Sequence, residues 1–269
     1  MKQVLLRSGL GGWLLGLRDR VSLLRTAWRS PEAVGTVAND VLSTYLITRL
    51  CAPGKVFIDI GSHIGSILAE VQRHCPQARV IGVEAMPDKA ENLRRSFPGV
   101  EIFQCALGNA TEEVSFYVNE LASGYSSLAR PEGTSARIRE IKVPLRRLDE
   151  LRDFTDVDAI KIDVEGAELG VVLGGQRTLG ANKPVIMFES GPGDDAVKKA
   201  LWTAFSDMGY GIHMPNRLAH RDEPLSLSTF MDSHVYPRFS TNYFAVPRER
   251  RAEMRDRARR VLGMPADAA

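Results

Sequence analysis

From Lys55 onward, short apolar runs alternate with stretches whose apolar residues recur at helical spacing. The apolar runs predict strands, and the stretches between them predict helices. The expected strands are "KVFIDIG", "ARVIGVEA", "VEIFQCAL", "DAIKIDVEG", "KPVIMFES" and a last strand "NYFAVPR". Continuous apolar strands that alternate with helices are typical of a parallel sheet covered on both faces, because right-handed crossovers put helices on its two sides. We therefore predict a doubly wound α/β domain.

The regular alternation is interrupted between the third and fourth of these strands. The stretch "EEVSFYVNE" is followed by the Gly/Ser/Arg-rich segment "ASGYSSLARPEGTSARIRE" and by a further strand, "IKVPLRRL". An irregular insertion of roughly 20 residues inside a compact domain is often functional. We expect Tyr125, Ser126 and Ser127 to contact a substrate and to close over it. An ordinary flexible loop is the alternative.

The two ends of the chain have a different pattern. Residues 1–50 predict helices, with apolar positions among arginines, a break at Pro31 and a second helix from Val41 to Leu50. A packing extension or lid is the simpler interpretation, and a basic amphipathic surface resting on a membrane or a protein partner is the other. The end, "RERRAEMRDRARRVLG", predicts a charged helix exposed to solvent. The predicted division is a helical extension (1–50), a catalytic-sized domain (51–247) and a charged helical tail (248–269).

Composition narrows the classes of protein that fit. The 269 residues carry a formal net charge of +2 at pH 7, which does not suggest a polyanion-binding protein, so no nucleic-acid partner is expected. The cysteines, Cys51, Cys75 and Cys105, are odd in number and lack the spacing of a zinc site or a disulfide framework. Arg7 interrupts the first apolar run, and no run of about 20 apolar residues appears. These features predict a cytoplasmic protein.

The stretch "FIDIGSHIG" places an acid, Asp59, at the end of the first predicted strand and a glycine-bearing turn after it. Gly61 and Gly65 are expected to let the backbone approach a ligand closely. The dinucleotide fingerprint would be G-x-G-x-x-G, whereas this pattern is D-x-G-x-x-x-G, with a carboxylate that would repel a phosphate. S-adenosylmethionine suits such a site, because its sulfonium and amino groups are cationic and it carries no phosphate. A structural glycine turn is the alternative.

The next two strands extend this predicted site. Glu84 ends "VIGVE", where an acid can accept hydrogen bonds from both ribose hydroxyls, although it would also serve as a helix cap. Gln104, Cys105 and Ala106, in "FQCAL", are expected to border the adenine. Nothing near Cys105 in the sequence would lower its pKa, so a nucleophilic role is not predicted.

The most unusual stretch is "KIDVEGAEL", in which an apolar strand leads directly into Asp163, Glu165 and Glu168. Carboxylates grouped at the end of a buried strand repel one another, so folding alone would tend to exclude them. Ligands bind beyond the carboxyl ends of strands in open α/β sheets. Lys161 is expected to lie on the same side of its strand as Asp163 and to moderate the acidic charge. Glu168 is expected only to begin the next helix.

These motifs together resemble the FkbM-type methyltransferases. The resemblance rests on "FIDIGSHIG", "VIGVEAMP", "CALGN", "SSL", "VPLRRLDEL", "KIDVEGAEL", "MFES" and "NYFAVP", in that order, over about residues 50–247. It implies a Rossmann-like class I methyltransferase fold, with a mostly parallel seven-stranded sheet and helices on both faces. It also implies adenosylmethionine-dependent O-methylation, often of sugars or polyketide natural products. His63 stands where that family usually has asparagine, either as an adaptation near the methionine end or as a turn residue.

Transfer of a methyl group to a hydroxyl requires a group that accepts the hydroxyl proton. Asp163 is the first candidate, Glu165 the second, and Glu189, at the end of "VIMFE", the third. We expect a small-molecule or glycan acceptor. The three acids could also bind magnesium, although no required metal is predicted and the five histidines lack metal-ligand spacing.

Three other functions fit the sequence less well. An RNA methyltransferase on the same fold would need a basic surface with stacking aromatic residues, and the sequence has no such interleaving. A non-catalytic partner-binding protein that retains the cofactor pocket would have no need for an acid at the end of every one of these strands. An NAD-dependent oxidoreductase is disfavoured by the missing phosphate-binding glycines.

Overall fold

A computed structural model describes residues 9–119, 128, 138–191 and 193–265 of the chain. The strands are β1 Val56–Ile60, β2 Arg79–Glu84, β3 Glu101–Gln104, β4 Ala106–Leu107, β5 Glu112–Asn119, β6 Ile138–Arg146, β7 Val157–Ile162, β8 Val185–Glu189, β9 Tyr210–His213 and β10 Asn242–Pro247. The α-helices are α1 Gly9–Arg29, α2 Val34–Leu50, α3 Ser66–His74, α4 Pro87–Ser96, α5 Leu148–Leu151, α6 Glu168–Gly174, α7 Gln176–Asn182, α8 Asp195–Asp207, α9 Leu227–Asp232 and α10 Arg251–Val261. Short 3₁₀ turns lie at Pro31–Ala33, Pro215–Arg217 and Arg248–Arg250.

Seven strands form the main sheet in the order β3-β2-β1-β7-β8-β10-β9. The first five of these are parallel, and β10 runs antiparallel to both β8 and β9. The chain order reverses at β1, so the carboxyl ends of β1 and β7 flank the switch point where open α/β sheets bind ligands. This is the class I methyltransferase fold, and the predicted fold class is confirmed.

The two faces of the sheet bury separate hydrophobic cores. Successive strand residues point to opposite faces, so Phe57 lies in the core beneath α2, α3 and α10, whereas Ile58 lies in the core beneath α6 and α8. Leu46 and Val71 fill the first core, and Phe205 belongs to the second. Burial on both faces explains why these strands are continuously apolar.

The interruption seen in the sequence forms a second, smaller sheet in the order β4-β6-β5. β5 and β6 pair antiparallel from Glu112 with Leu145 to Asn119 with Ile138. Their apolar faces pack on Met86 and Ala106, next to the carboxyl ends of the main strands. The small sheet therefore flanks the ligand-binding edge of the main sheet. Residues Tyr125, Ser126 and Ser127 lie outside the described residues, so their predicted role remains a prediction.

The helices before β1 differ from expectation. α2 begins at Val34 rather than at Val41, because Pro31 occupies the first turn of a 3₁₀ helix, where its missing N–H is not needed, and the chain turns directly into α2. Leu46, Ile47 and Leu50 are buried against the main sheet, so α2 is part of the core. Within the described ranges, no helix has the length and apolar character needed to cross a membrane.

The expectation of a solvent-exposed tail after residue 247 is wrong for α10. Met254 and Ala258, one helical turn apart, are fully buried in the core beneath α2. Arg250 and Arg257 each approach the buried carboxylate of Asp158 in β7 at 2.6 Å. This helix has many charged residues, so its sequence pattern does not reveal the narrow apolar stripe that packs on the sheet. The division into three segments otherwise remains a prediction.

Candidate active site

A pocket opens beyond the carboxyl ends of β1, β2 and β7, between the two sheets. Its lining consists of Ile60, Gly61, His63, Val83, Glu84, Ala85, Met86, Lys89, Cys105, Ala106, Leu107, Phe116, Leu128, Asp163, Val164, Glu165 and Ala167. Six of the predicted residues therefore converge on one cavity: Gly61, Glu84, Cys105, Ala106, Asp163 and Glu165. Most of its wall is apolar, and its carboxylates lie in two separate places.

Gly61 forms the turn after β1 and lies against the loop after β7. Its φ of 81° belongs to the left-handed region that favours glycine. A Cβ atom at this position would lie 1.9 Å from the carbonyl oxygen of Asp163. The backbone N–H of Asp163 donates to the carbonyl of Ile60 at 3.2 Å, which keeps the two loops together. Gly61 thus lets both loops border the pocket side by side, and its predicted contact with a ligand remains a prediction.

Gly65 has a different role from the one predicted. Its φ is 85°, and a Cβ atom there would lie 2.4 Å from the ring of Phe97 and 2.8 Å from the side chain of Leu93. Gly65 precedes α3, faces α4 and does not line the pocket. The expected ligand contact is corrected to a packing contact between two helices. The sequence pattern does not distinguish these two reasons for a glycine.

Asp59 lies behind the pocket wall. Its side chain is fully buried, and the nearest cation is the Nζ atom of Lys161, 3.5 Å from its Oδ1 atom. The same Nζ atom lies 3.2 Å from Oδ2 of Asp163 and donates to the carbonyl of Gly61 at 2.9 Å. The predicted direct contact of Asp59 with a ligand is therefore corrected to an indirect one. Asp59 pairs with Lys161, and Lys161 in turn contacts the carbonyl of Gly61 and the carboxylate of Asp163.

Glu84 occupies the wall at the end of β2, as predicted. Its two oxygens accept the backbone N–H of His63 at 2.8 Å and that of Met86 at 3.0 Å. Burial raises the pKa of Glu84, and the two backbone donors and the nearby Lys89 oppose that rise. Each carboxylate oxygen has a further lone pair available for a ligand hydroxyl.

The segment that leads from β3 into the small sheet contributes two of its three predicted residues. Cys105 and Ala106 line the pocket. Gln104 does not, because its Oε1 atom is directed at the Nη1 atom of Arg94, 3.4 Å away. The expected adenine contact of Gln104 is therefore corrected. Burial raises the pKa of Cys105 to about 11, which agrees with the expectation that this thiol is not a nucleophile.

The acidic cluster predicted from "KIDVEGAEL" and "VIMFES" is assembled in space. One carboxylate oxygen each of Asp163, Glu165 and Glu189 lies within 4.8 Å of the others. Burial, followed by repulsion from Asp163, raises the pKa of Glu165 to about 7 and that of Glu189 to about 9. Burial also opposes ionisation of Asp163, but Lys161 and a hydrogen bond from Glu189 hold its pKa below the usual range. The three acids therefore have distinct protonation behaviour.

The loop that carries Glu165 is held in an unusual backbone conformation. Glu165 has a φ of 53° and Gly166 a φ of 99°. The carboxylate of Glu168 accepts the backbone N–H groups of Val164 at 3.0 Å and Gly166 at 3.2 Å, and Glu168 is the first residue of α6, as predicted. A left-handed conformation is uncommon for a residue other than glycine and often marks a functional position. His63, which also lines the pocket, has a φ of 50°.

The carboxylates of Asp163, Glu165 and Glu189 have the spacing of ligands to a divalent cation. Oxygen ligands of this kind suit magnesium or calcium. The sequence-based expectation that no metal is required therefore remains a prediction.

Several pocket residues were not identified from the sequence. Lys89, in the first turn of α4, lines the pocket and influences the pKa of both Glu84 and Glu165. Phe116 and Leu128 reach the pocket from β5 and from the segment after it. Lys89 carries no motif, and the alternation of β5 shows that it has a buried face without showing what that face covers. Only the folded position of the small sheet reveals these contacts.

Comparison with known proteins identifies the family of the chain. The sequence profile of the Methyltransferase FkbM domain matches residues 59–212, more than half of the chain. The protein therefore belongs to the FkbM methyltransferase family, and the resemblance inferred from its motifs is confirmed.

Individual relatives are distant. The 2-O-methyltransferase NoeI of Sinorhizobium fredii is 25% identical over 190 residues, which cover 62% of this chain and 74% of that protein. Methyltransferase 1 of Beauveria bassiana is 25% identical over 141 residues, which cover 44% of this chain and 57% of that protein. A solved FkbM methyltransferase from Methylobacillus flagellatus superposes with a TM-score of 0.42 and 18% identity over 71% of this chain and 43% of that one. The chain thus spans little more than half of Methyltransferase 1 and less than half of the solved protein.

Proposed function

We propose that the protein is an S-adenosylmethionine-dependent O-methyltransferase that acts on a hydroxyl of a sugar, a glycolipid or a secondary metabolite. The observation that carries this proposal is the separation of carboxylates around the pocket. Glu84 lies on the wall at β2, and Asp163 and Glu165 lie on the wall at β7, with Glu189 beside them. A cofactor with a neutral, hydroxyl-bearing end and a cationic end fits between these two places.

The pocket residues match the parts of S-adenosylmethionine. Glu84 would accept hydrogen bonds from the ribose hydroxyls, and the apolar surface at Cys105 and Ala106 would lie against the adenine. Gly61 lets the loop after β1 lie directly against the loop that carries Asp163, and the methionine portion would lie over these two loops. When bound, the cofactor supplies an electrophilic methyl group on a sulfonium. The ionised carboxylate of Asp163 would offset its positive charge.

Glu165 has the protonation behaviour required of the base. A general base works best with a pKa close to the working pH, and the pKa of Glu165 is raised to about 7 by burial and by Asp163. Asp163 was the first candidate from the sequence, but Lys161 stabilises its ionised form and makes it a weaker proton acceptor. We therefore assign proton acceptance to Glu165 and electrostatic stabilisation of the cationic cofactor to Asp163.

Glu189 differs from both of these acids. Its pKa is raised to about 9, so it carries a proton at neutral pH and donates a hydrogen bond to Asp163. In this arrangement Glu189 keeps the Asp163 carboxylate oriented without adding a further negative charge. Its role is therefore to position Asp163.

The proposal that the acceptor is a hydroxyl draws support from two sources. A carboxylate that can take a proton from the acceptor suits an alcohol, which must lose its proton as the new bond forms. The relative from Sinorhizobium fredii is a 2-O-methyltransferase.

Calorimetric titration with S-adenosylmethionine and with S-adenosylhomocysteine tests the cofactor assignment. The wild-type protein should bind both, and Glu84→Gln should weaken binding by roughly 10- to 100-fold, as expected for the loss of hydrogen bonds to a charged group. Glu101→Gln, which removes an exposed carboxylate outside the pocket, is the matched control and should bind normally. Failure of the wild-type protein to bind either compound would refute the proposed function.

Turnover is tested with methyl-labelled cofactor and a panel of glycosides, glycolipids and hydroxylated polyketides. Glu165→Gln should lower kcat by roughly 100-fold or more at unchanged cofactor affinity. Retention of full turnover by Glu165→Gln would exclude it as the base. Dialysis against EDTA should leave turnover unchanged, whereas a loss restored by magnesium would assign Asp163, Glu165 and Glu189 to a metal site instead.

A further inference from the structure

The helix α1 displays an apolar stripe to solvent. Leu17, Val21, Leu24 and Trp28 have exposed fractions of 42%, 54%, 71% and 85%. At about 3.6 residues per turn, these four positions fall within about 60° of one another around the helix axis. Single exposed apolar residues are common, but a stripe three turns long that ends in a tryptophan is typical of a binding surface.

The opposite side of α1 faces the body of the protein. Asp19, Leu23 and Thr26 are partly buried, and Asp19 and Leu23 line a groove of about 330 Å³ that α1 forms with α2 and α3. These inward positions lie about half a turn away from the exposed stripe. The apolar stripe is therefore directed away from the protein and is covered by none of the residues that the structure describes.

Basic residues accompany the stripe along α1. The helix contains Arg18, Arg20, Arg25 and Arg29 and a single acid, Asp19, which pairs with Arg18 at 2.9 Å. In the described part of the chain, Arg20, Arg25 and Arg29 make no ion pair, and all three are exposed. A helix with an apolar stripe, a tryptophan and flanking arginines matches the composition of helices that lie in the interface of an anionic bilayer.

A second exposed apolar patch adjoins the end of α1. Val235, Tyr236 and Phe239 have exposed fractions of 66%, 67% and 47%. The hydroxyl of Tyr236 donates to Glu32 in the 3₁₀ turn that follows α1, and Asn39 donates to the carbonyl of Phe239 at 2.7 Å. The loop 235–239 is thus fixed next to the carboxyl end of α1, and it adds apolar and aromatic side chains to the region around Trp28.

We propose that α1 and the loop 235–239 form a docking surface for an anionic lipid bilayer. The apolar stripe would insert to the level of the acyl chains, and Arg25 and Arg29 would contact lipid phosphates. Charge complementarity selects this occupant, because a neutral apolar protein surface would leave two arginines beside the stripe without partners. The proposal does not depend on the catalytic activity.

Vesicle flotation with the full-length protein tests this surface. The wild-type protein should float with phosphatidylcholine vesicles that contain phosphatidylglycerol and should bind pure phosphatidylcholine vesicles far less. Leu24→Ser combined with Trp28→Ser should lower partitioning by on the order of 100-fold, because two large apolar side chains no longer insert. These side chains are mostly exposed, so the double substitution should not disturb the fold.

Substitution of the arginines in α1 tests the electrostatic part of the proposal. Arg25→Gln with Arg29→Gln should lower partitioning onto the anionic vesicles by roughly 25-fold, or about fivefold for each arginine. Arg95→Gln with Lys199→Gln makes the same change in net charge at exposed sites outside α1 and should partition like the wild type. An equal loss in both pairs would overturn the role of α1, because net charge alone would then explain binding.

Two other results would overturn the proposal. One is the absence of wild-type partitioning onto anionic vesicles. The other is a wild-type dimer, seen by light scattering, that the Leu24→Ser and Trp28→Ser substitutions convert to a monomer, since a second copy of the chain would then cover the stripe. Because no step uses S-adenosylmethionine, failure of this proposal and failure of the proposed function are separable.

Discussion

Replacement of Lys161 by methionine should destabilise the protein strongly. The Lys161 side chain is buried between Asp59, 3.5 Å away, and Asp163, 3.2 Å away. Methionine has a similar length and no charge, so the substitution preserves most of the packing and removes the ammonium. It leaves the fully buried carboxylate of Asp59 without a cation, and none of the described residues donates a hydrogen bond to either of its oxygens.

The size of this effect follows from the distances. At an effective dielectric constant of about 20, unit charges 3.5 Å apart attract one another by about 5 kcal/mol before desolvation is considered. The side chain of Asp163 is 38% exposed, so water screens it and it adds less. Loss of one partner from a buried ion pair typically costs about 3–5 kcal/mol, which is the expected decrease in the free energy of unfolding.

Urea denaturation followed by circular dichroism measures this decrease. Lys55→Met provides a matched control, because it removes the same charge from an exposed pair with Asp156 and should leave the free energy of unfolding close to that of the wild type. The double variant Asp59→Asn, Lys161→Met should recover a large part of the stability, since no buried charge is left unpaired.

Two outcomes would refute this reasoning. If Lys161→Met loses less than about 1 kcal/mol, the pair with Asp59 does not stabilise the fold. If the double variant is as unstable as Lys161→Met alone, the loss comes from the contacts of the lysine with the loop backbone rather than from the unpaired carboxylate.

Three further predictions concern the site and the carboxyl-terminal helix. Gly65→Ala should lower the free energy of unfolding by about 1–3 kcal/mol through overpacking against Phe97. The cofactor affinity, measured by calorimetry, should stay the same. A variant with full stability and lost affinity would contradict the packing role of Gly65. A carboxylate accepts a proton only when it is ionised, so kcat/KM should rise with pH through about 7, the raised pKa of Glu165. Glu165→Gln should remove that rise from the pH–rate profile. An unchanged profile would point to another base. Met254→Asp should lower the free energy of unfolding, measured by urea denaturation, by about 3–5 kcal/mol because it buries an unpaired charge. Ala252→Asp, on the exposed side of the same helix, should change it by less than about 0.5 kcal/mol. Equal effects would show that Met254 does not anchor α10.

The sequence predicts the main sheet well because its strands are buried on both faces. A strand such as β1 is apolar at every position except Asp59, whichever neighbours it has, so its pattern is readable locally. The α10 helix was misjudged for the opposite reason. Asp158 pairs with Arg257 in this helix and with Arg250 just before it, 99 and 92 residues away, and nothing local shows that these arginines neutralise a buried acid. A high content of charged residues normally indicates a solvent-exposed helix, and only the tertiary contact with Asp158 shows that this helix packs on the sheet.

The same distinction applies to the candidate site. Glu84 and Asp163 end strands of a parallel sheet, so topology alone places them at one edge. The orientation of a side chain at a strand end is set by its neighbours, and therefore the burial of Asp59 behind Lys161 and the turn of Gln104 toward Arg94 could not be predicted. The raised pKa of Glu165 likewise depends on distances to other acids that the sequence does not contain.

The position of Asp158 also has a consequence for synthesis of the protein. Its arginine partners, at residues 250 and 257, are made 92 and 99 residues after it, and β10, which separates β8 from β9 in the sheet, is made just before them. Until then the central strand β7 contains a carboxylate without its cations, and the sheet lacks an interior strand. A nascent chain therefore cannot complete this domain strand by strand. We expect a ribosome-bound chain that ends at Pro247 to remain sensitive to protease, and extension of the chain through α10 to bring the whole sheet to its protected state in one cooperative step.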